Sequence, residues 1–199
     1  MKPWLLNILA CPIDKHHPLE AHFFTWEMSD EEIKNNAENV GGSSPEQEKN
    51  YKQLAKQLMD GTISPPAMKN ITDSSKSQIT RGLLTSALEA LTNIEVTGGK
   101  GENELFYGYS QNIDALNRFM HLLEVGTGLL ICPKCGRWYP IGSAVETIPE
   151  MLPDNLRERN RDLEWMEKWS HLIPSKVLEE GIPYNLKQKK NTSNYNEFL

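Results

Sequence analysis

Cysteine is scarce in this chain: three among 199 residues, at positions 11, 132 and 135. A small, odd number cannot build a disulfide framework, so these thiols point to a reducing, cytoplasmic setting. Long apolar runs are missing as well. None approaches the ~20 residues of a membrane span, and no membrane association is expected. The stretch before Cys11 is superficially like a signal peptide or lipoprotein leader. Asn7 interrupts it, though, its apolar part is too short, and Cys11, Pro12 and charged residues follow at once. It reads as a mature strand or helix end. Basic charge is also in deficit. The net charge is -6 and the pI about 5.4, which argues against a chain that holds nucleic acid by bulk electrostatics. No Gly-x-Gly-x-Gly loop follows a strand, so no S-adenosylmethionine site is expected in this chain. Ser64-Pro-Pro-Ala67 lacks both outer residues of the Asp/Asn-Pro-Pro-Tyr motif of amine and amide methyltransferases and reads as a helix break. No Ser/His/Asp or paired-carboxylate set stands out, and no catalytic residue is assigned.

What is present centres on Cys132-Pro-Lys-Cys-Gly136. An apolar run, Leu129 to Ile131, leads into it, and an aromatic strand, Trp138 to Ile141, leaves it. The Cys-x-x-Cys-Gly spacing lets two thiolates converge on one ion, and Gly136 supplies the backbone freedom of the turn. The strand-knuckle-strand context favours a metal over a redox pair. Tetrahedral zinc needs two further ligands, and the remaining cysteine, Cys11, is one. The fourth lies among Asp14, His16 and His17. Ligand softness favours His16, with Asp14 as the alternative. A cysteine at position 14 would have completed a double Cys-x-x-Cys, but Asp stands there. Lys15, Lys134 and Arg137 can offset the site's negative charge. A thiolate-rich zinc is structural, so its binding energy becomes folding energy. His22, on the strand beyond the first knuckle, is discounted as a ligand.

The expected fold class is α+β: a small antiparallel zinc ribbon-like β domain with a helical insertion domain and a helical C-terminal extension. Residues 1–26 and 126–153 form the split β domain. Residues 27–125 form an all-helical insertion. Ser29 to Glu32 and Ser44 to Gln47 are capping boxes. Helical spacing predicts helices over about 44–59, 76–92 and 110–124. Asp154 caps a helix to about Leu172, and a second short helix ends near Gly181. The extension therefore spans 154–186. A flexible tail, 187–199, carries Lys187, Lys189 and Lys190. Trp165 and Trp169 are read as core or surface residues of the extension.

Leu5 to Pro12, Leu130 to Ile141 and the closing Ile148-Pro-Glu-Met-Leu152 together resemble the multifunctional methyltransferase subunit (TRM-one-twelve) family. Ala115 to Glu124 is similar to that family's helix before the second knuckle. The resemblance covers about the first 25 residues and 113–153, in an order that includes the split metal site. It implies a non-catalytic, zinc-binding subunit that binds, stabilises and activates S-adenosylmethionine-dependent methyltransferases acting on tRNA, rRNA or a translation termination factor. The implied partners are class I methyltransferases, as heterodimers, with tRNA or rRNA touched only indirectly. Such members cover an apolar surface of the enzyme and extend its sheet by strand addition. Trp138, Tyr139, Pro140, Ile141, Ile148, Met151 and Leu152 are the expected contact residues, because a small zinc domain cannot bury them all. They could instead cover the metal core or pack on the C-terminal helix. Two alternatives remain: a zinc-ribbon nucleic-acid-binding protein of the translation or transcription machinery, and a zinc-stabilised module with another partner.

Overall fold

In the computed structural model of the chain, residues 1–37, 45–60, 62–63, 65–68, 70–72, 74–96, 101, 104 and 108–188 are described. Among them the architecture is mixed α/β, with a four-stranded sheet and seven α-helices. The strands are β1 (Glu20–Trp26), β2 (Asn70–Ile71), β3 (Val125–Ile131) and β4 (Trp138–Ile141), in the spatial order β2-β1-β3-β4. β3 runs antiparallel to both β1 and β4, while β2 lies parallel to β1.

β3 sits at the centre, and all seven of its residues are buried. Alternation along the strands divides the side chains between two cores. Phe23, Leu130, Tyr139 and Ile141 point to one face, and Phe24, Leu129, Ile131 and Trp138 to the other. Five helices that fall between β1 and β3 in sequence pack on the first face. They are α1 (Asp30–Ala37), α2 (Pro45–Met59), α3 (Pro65–Met68), α4 (Gln78–Val96) and α5 (Ser110–Leu122). Their apolar stripes join the sheet in one core through Ile33, Leu54, Leu58, Leu84, Leu91, Ile113 and Phe119. The segment expected to be all helical also supplies β2. Two residues are too short a strand to leave a periodic signal in sequence. Ser29 caps α1 as expected: its Oγ accepts from the Glu32 amide at 3.2 Å, and the Glu32 carboxylate accepts from the Ser29 amide at 2.8 Å. Ser44 lies outside the described residues.

The second face carries α6 (Arg159–Lys168) and α7 (Ser175–Glu180). Trp165 lies parallel to Trp138 at 6.0 Å between ring centroids, and Trp169 stacks on Phe24 at 5.6 Å. Ile173 and Val177 complete this core. The helix expected from Asp154 begins only at Arg159. Asp154–Leu156 is a 3-10 turn, and Arg157 is extended, with φ -83 and ψ 139. The chain breaks there to insert the Arg157 guanidinium beside the sheet. That group donates to Asp162 Oδ2 at 2.8 Å and to the Trp138 carbonyl at 2.7 Å, and it lies 4.5 Å from the Trp138 ring centroid. Among the described residues no helix is long and apolar enough to cross a membrane.

Candidate metal centre

Two turns of the same construction build the site. In the first, the Cys11 amide donates to the His16 carbonyl at 2.9 Å, and the Lys15 amide donates to the Cys11 carbonyl at 2.9 Å. In the second, the Cys132 amide donates to the Arg137 carbonyl at 2.8 Å, and the Gly136 amide donates to the Cys132 carbonyl at 2.9 Å. Each turn thus closes from its cysteine to the residue five positions on. The fifth residue of each turn takes a left-handed conformation, with φ 71 at Gly136 and φ 59 at Lys15. Gly136 adopts it without steric cost, whereas Lys15 is strained by about 1 kcal/mol or more.

This equivalence fixes which side chains converge. Cys135 stands three residues after Cys132, and Asp14 stands three residues after Cys11. Cys11, Asp14, Cys132 and Cys135 place their ligand atoms within 4.8 Å of one another. Cys11 Sγ is 3.8 Å from Cys135 Sγ, and Cys132 Sγ is 3.6 Å from both oxygens of Asp14. Zinc–sulfur bonds of about 2.3 Å at tetrahedral angles require about 3.8 Å between sulfurs and about 3.6 Å between sulfur and oxygen. The Cys11–Cys135 and Cys132–Asp14 separations match these values, so the four residues could hold a metal ion.

His16, favoured from sequence, lies outside that set. Its amide donates to Asp14 Oδ1 at 3.0 Å, and its carbonyl receives the Cys11 amide, so it closes the turn with its backbone. His17 Nδ1 contacts the Leu9 carbonyl at 2.9 Å. His22 meets Glu20 Oε1 at 2.8 Å, away from the cluster. The signal that favours Asp14 was available in the sequence, since Cys-x-x-Asp-Lys aligns with Cys-x-x-Cys-Gly. Ligand softness alone does not capture it.

The electrostatics suit a cation. The His16 amide, the nearest donor, holds the Asp14 carboxyl down to about 2, despite some desolvation. Burial pushes the Cys132 thiol up to about 12. A metal must displace that proton, and the thiolate it creates needs compensation. The Tyr139 hydroxyl lies 3.1 Å from Cys11 Sγ, in a buried position, and burial raises its pKa. Arg137, two residues past Cys135, is held on Asp154 at 2.8 Å. Lys15 turns to the Pro12 carbonyl at 2.7 Å instead of toward the cluster.

The seven expected contact residues divide into two groups. Trp138, Tyr139, Pro140 and Ile141 are all buried within the chain itself. Trp138 faces α6 and Tyr139 faces the metal cluster. The outer edge of β4 is also occupied. The Trp138 amide donates to the Ile182 carbonyl at 3.1 Å, its carbonyl accepts from Arg157, and the Pro140 carbonyl accepts from the Glu150 amide at 2.8 Å. Past β4, Ile148 is 51% exposed, and Met151 and Leu152 are half-buried. Val145, not singled out from sequence, is 60% exposed beside them in the same loop. Lys187 is exposed, while Lys189 and Lys190 lie outside the described residues.

No curated protein and no solved structure gives a match to this chain. The family model described as Trm112p-like protein matches residues 2–142, more than half of the chain and both turns of the metal cluster. The chain belongs to the Trm112p-like family, and that membership supports a methyltransferase-associated activator role.

Proposed function

We propose that this chain is a non-catalytic subunit that binds, stabilises and activates class I S-adenosylmethionine-dependent methyltransferases as a heterodimer. The observation that carries the reading is the family match over 2–142, which spans all four residues of the candidate metal cluster. Zinc, held by Cys11, Asp14, Cys132 and Cys135, is structural. It ties the N-terminal turn to the β3–β4 turn across about a hundred and twenty residues and leaves no coordination position for substrate. The methylated substrates are tRNA, rRNA or a translation termination factor, and the enzyme contacts them. The enzyme-facing surface is the loop past β4, with Ile148, Met151 and Leu152 as anchors. Trp138, Tyr139, Pro140 and Ile141 support that loop from within.

The test is co-expression with class I methyltransferases of those three substrate classes. The expected result is a 1:1 complex by light scattering, a higher soluble yield of the enzyme, and methyl transfer from labelled S-adenosylmethionine that depends on both chains. Tight binding of S-adenosylmethionine to the purified chain alone, measured by calorimetry, would overturn the reading.

A further inference from the structure

The family match stops at residue 142, yet the chain beyond it is tied directly to the second metal turn. Three kinds of contact make the tie. The Ile182 amide donates to the Gly136 carbonyl at 3.2 Å, and the Trp138 amide donates back to the Ile182 carbonyl at 3.1 Å. These two bonds set Ile182 parallel to Arg137 as a one-residue strand on the β4 edge. Arg137 Nε and Nη2 fork onto the Asp154 carboxylate at 3.0 and 2.8 Å, while its carbonyl accepts the Cys132 amide at 2.8 Å. Gly181 closes the approach. A Cβ there would sit 2.5 Å from the Val177 carbonyl and 2.9 Å from Trp138 Cδ1, so only glycine lets the segment lie this close.

The second turn has few restraints of its own. Two backbone bonds, from Cys132 to Arg137 and from Gly136 to Cys132, hold its shape. A cleft of about 490 Å³ separates Pro133, Lys134 and Cys135 from Pro174, Lys176 and Val177 of the α7 region, so packing does not pin the turn from that side. An ion shared with Cys11 and Asp14 would fix the turn. The groups it would fix with it, the Gly136 carbonyl, the Arg137 guanidinium and the Trp138 amide, are those that receive the C-terminal segment.

We infer that metal binding at the four-donor cluster and docking of residues 154–188 on the sheet are thermodynamically coupled, with Arg137 as the positioning residue between them. The inference rests on the metal reading of that cluster. Coupling of this kind is reciprocal. Metal tightens the segment, and the docked segment raises metal affinity by the same factor. Arg137 is the natural carrier because its carbonyl closes the second metal turn on the Cys132 amide and its guanidinium anchors the carboxylate that opens the segment.

The test uses the full chain under reducing conditions, zinc-loaded and chelator-stripped. Hydrogen exchange read by mass spectrometry should be at least about tenfold faster over 175–186 in the stripped chain, with the interior of α4 and α5 unchanged. Asp154→Asn and Gly181→Ala, neither at a ligand, should each weaken zinc about tenfold in a chelator competition, as changes to groups supporting a ligand do. Glu158→Gln, on the exposed side of the segment, should leave zinc affinity as it is. Equal exchange over 175–186 with and without zinc would overturn the coupling. So would unchanged zinc affinity in Asp154→Asn and Gly181→Ala when their 175–186 exchange has risen. A wild-type chain that retains no zinc by elemental analysis would instead overturn the metal reading itself, and the coupling with it.

Discussion

Replacing Asp14 separates the carboxylate's role toward a metal from its role in the turn. Its Oδ1 accepts the His16 amide at 3.0 Å, and both oxygens lie 3.6 Å from Cys132 Sγ. Asparagine keeps the first interaction, since its amide oxygen can accept the same bond and it suits such turns. It loses the negative charge that makes a good zinc ligand. Structural zinc contributes roughly 10–16 kcal/mol of binding, so one of four donors carries about 3 kcal/mol, a factor of about a hundred in affinity. Asp14→Asn should therefore weaken zinc about a hundredfold in competition with a chelating dye. Asp14→Cys should restore or exceed the wild-type affinity. His16→Ala should change it no more than a few-fold, because His16 acts through its backbone. Cobalt substitution gives an independent readout. Its visible bands should keep the intensity of four-coordinate geometry in Asp14→Cys and His16→Ala and weaken in Asp14→Asn. A hundredfold loss in His16→Ala with Asp14→Asn unaffected would refute the equivalence of the two turns and the ligand set drawn from it.

Lys15 occupies the left-handed position that Gly136 fills in the other turn, so Lys15→Gly should raise stability by about 1 kcal/mol in urea denaturation. Arg157 and Asp162 form an ion pair with both side chains fully buried. Removing either partner alone should cost about 3–5 kcal/mol, while Arg157→Met with Asp162→Leu should cost less than the sum, a coupling read from a double-mutant cycle. Burial raises the Asp162 pKa above 3.8 and outweighs the opposing effect of Arg157. The folded state therefore binds this proton more tightly than the unfolded state. Its contribution to stability falls as pH rises from 3.8 through the raised value, and Asp162→Asn should remove that slope in urea midpoints taken across the same window. Ile148→Asp, on an exposed side chain, should leave the melting temperature within about a degree or two and reduce complex formation with a partner methyltransferase in titration calorimetry at least tenfold.

The second turn and the strand after it were legible because Cys-x-x-Cys-Gly and Trp-Tyr-Pro-Ile carry their own local geometry. The first turn was only half legible. Cys11 stood out, but the choice between Asp14 and His16 depends on a backbone bond from the His16 amide that residue type does not announce. The longer helices were found by their apolar spacing, with ends displaced by a few residues, but Pro65–Met68 forms a helical turn in the stretch that reads as a helix break from sequence. The break at Arg157 was missed because its cause lies elsewhere in the chain, in the Trp138 carbonyl and the Asp162 carboxylate that the guanidinium reaches. Burial of Trp138 to Ile141 was open for the same reason. An aromatic strand beside a metal turn looks alike whether a partner covers it or the chain's own later helices do.

That cover bears on where a partner can sit. To reach the outer edge of β4 or the second face of the sheet, a methyltransferase would have to lift off α6 and α7 and uncover Trp138, Trp165, Met166, Ile173 and Val177. At about 1.5–3 kcal/mol for each large apolar side chain, that is roughly 8–15 kcal/mol, before the Arg157–Asp162 pair is opened. A nanomolar complex is worth about 12 kcal/mol in total. Displacement would consume the whole binding energy of a good interface, so strand addition at β4 is closed to a partner while the extension is docked. The loop that follows β4 is under no such penalty. Ile148 and Val145 already face solvent, and that loop is braced from below by the Glu150 amide on the Pro140 carbonyl and by Arg161 on the Glu150 carboxylate at 2.8 Å. An anchor is most effective when it is exposed before binding and held rigid, because little ordering entropy is then lost on association. The extension leaves this loop in that state, which supports the proposal that the loop, rather than the β4 edge, carries recognition.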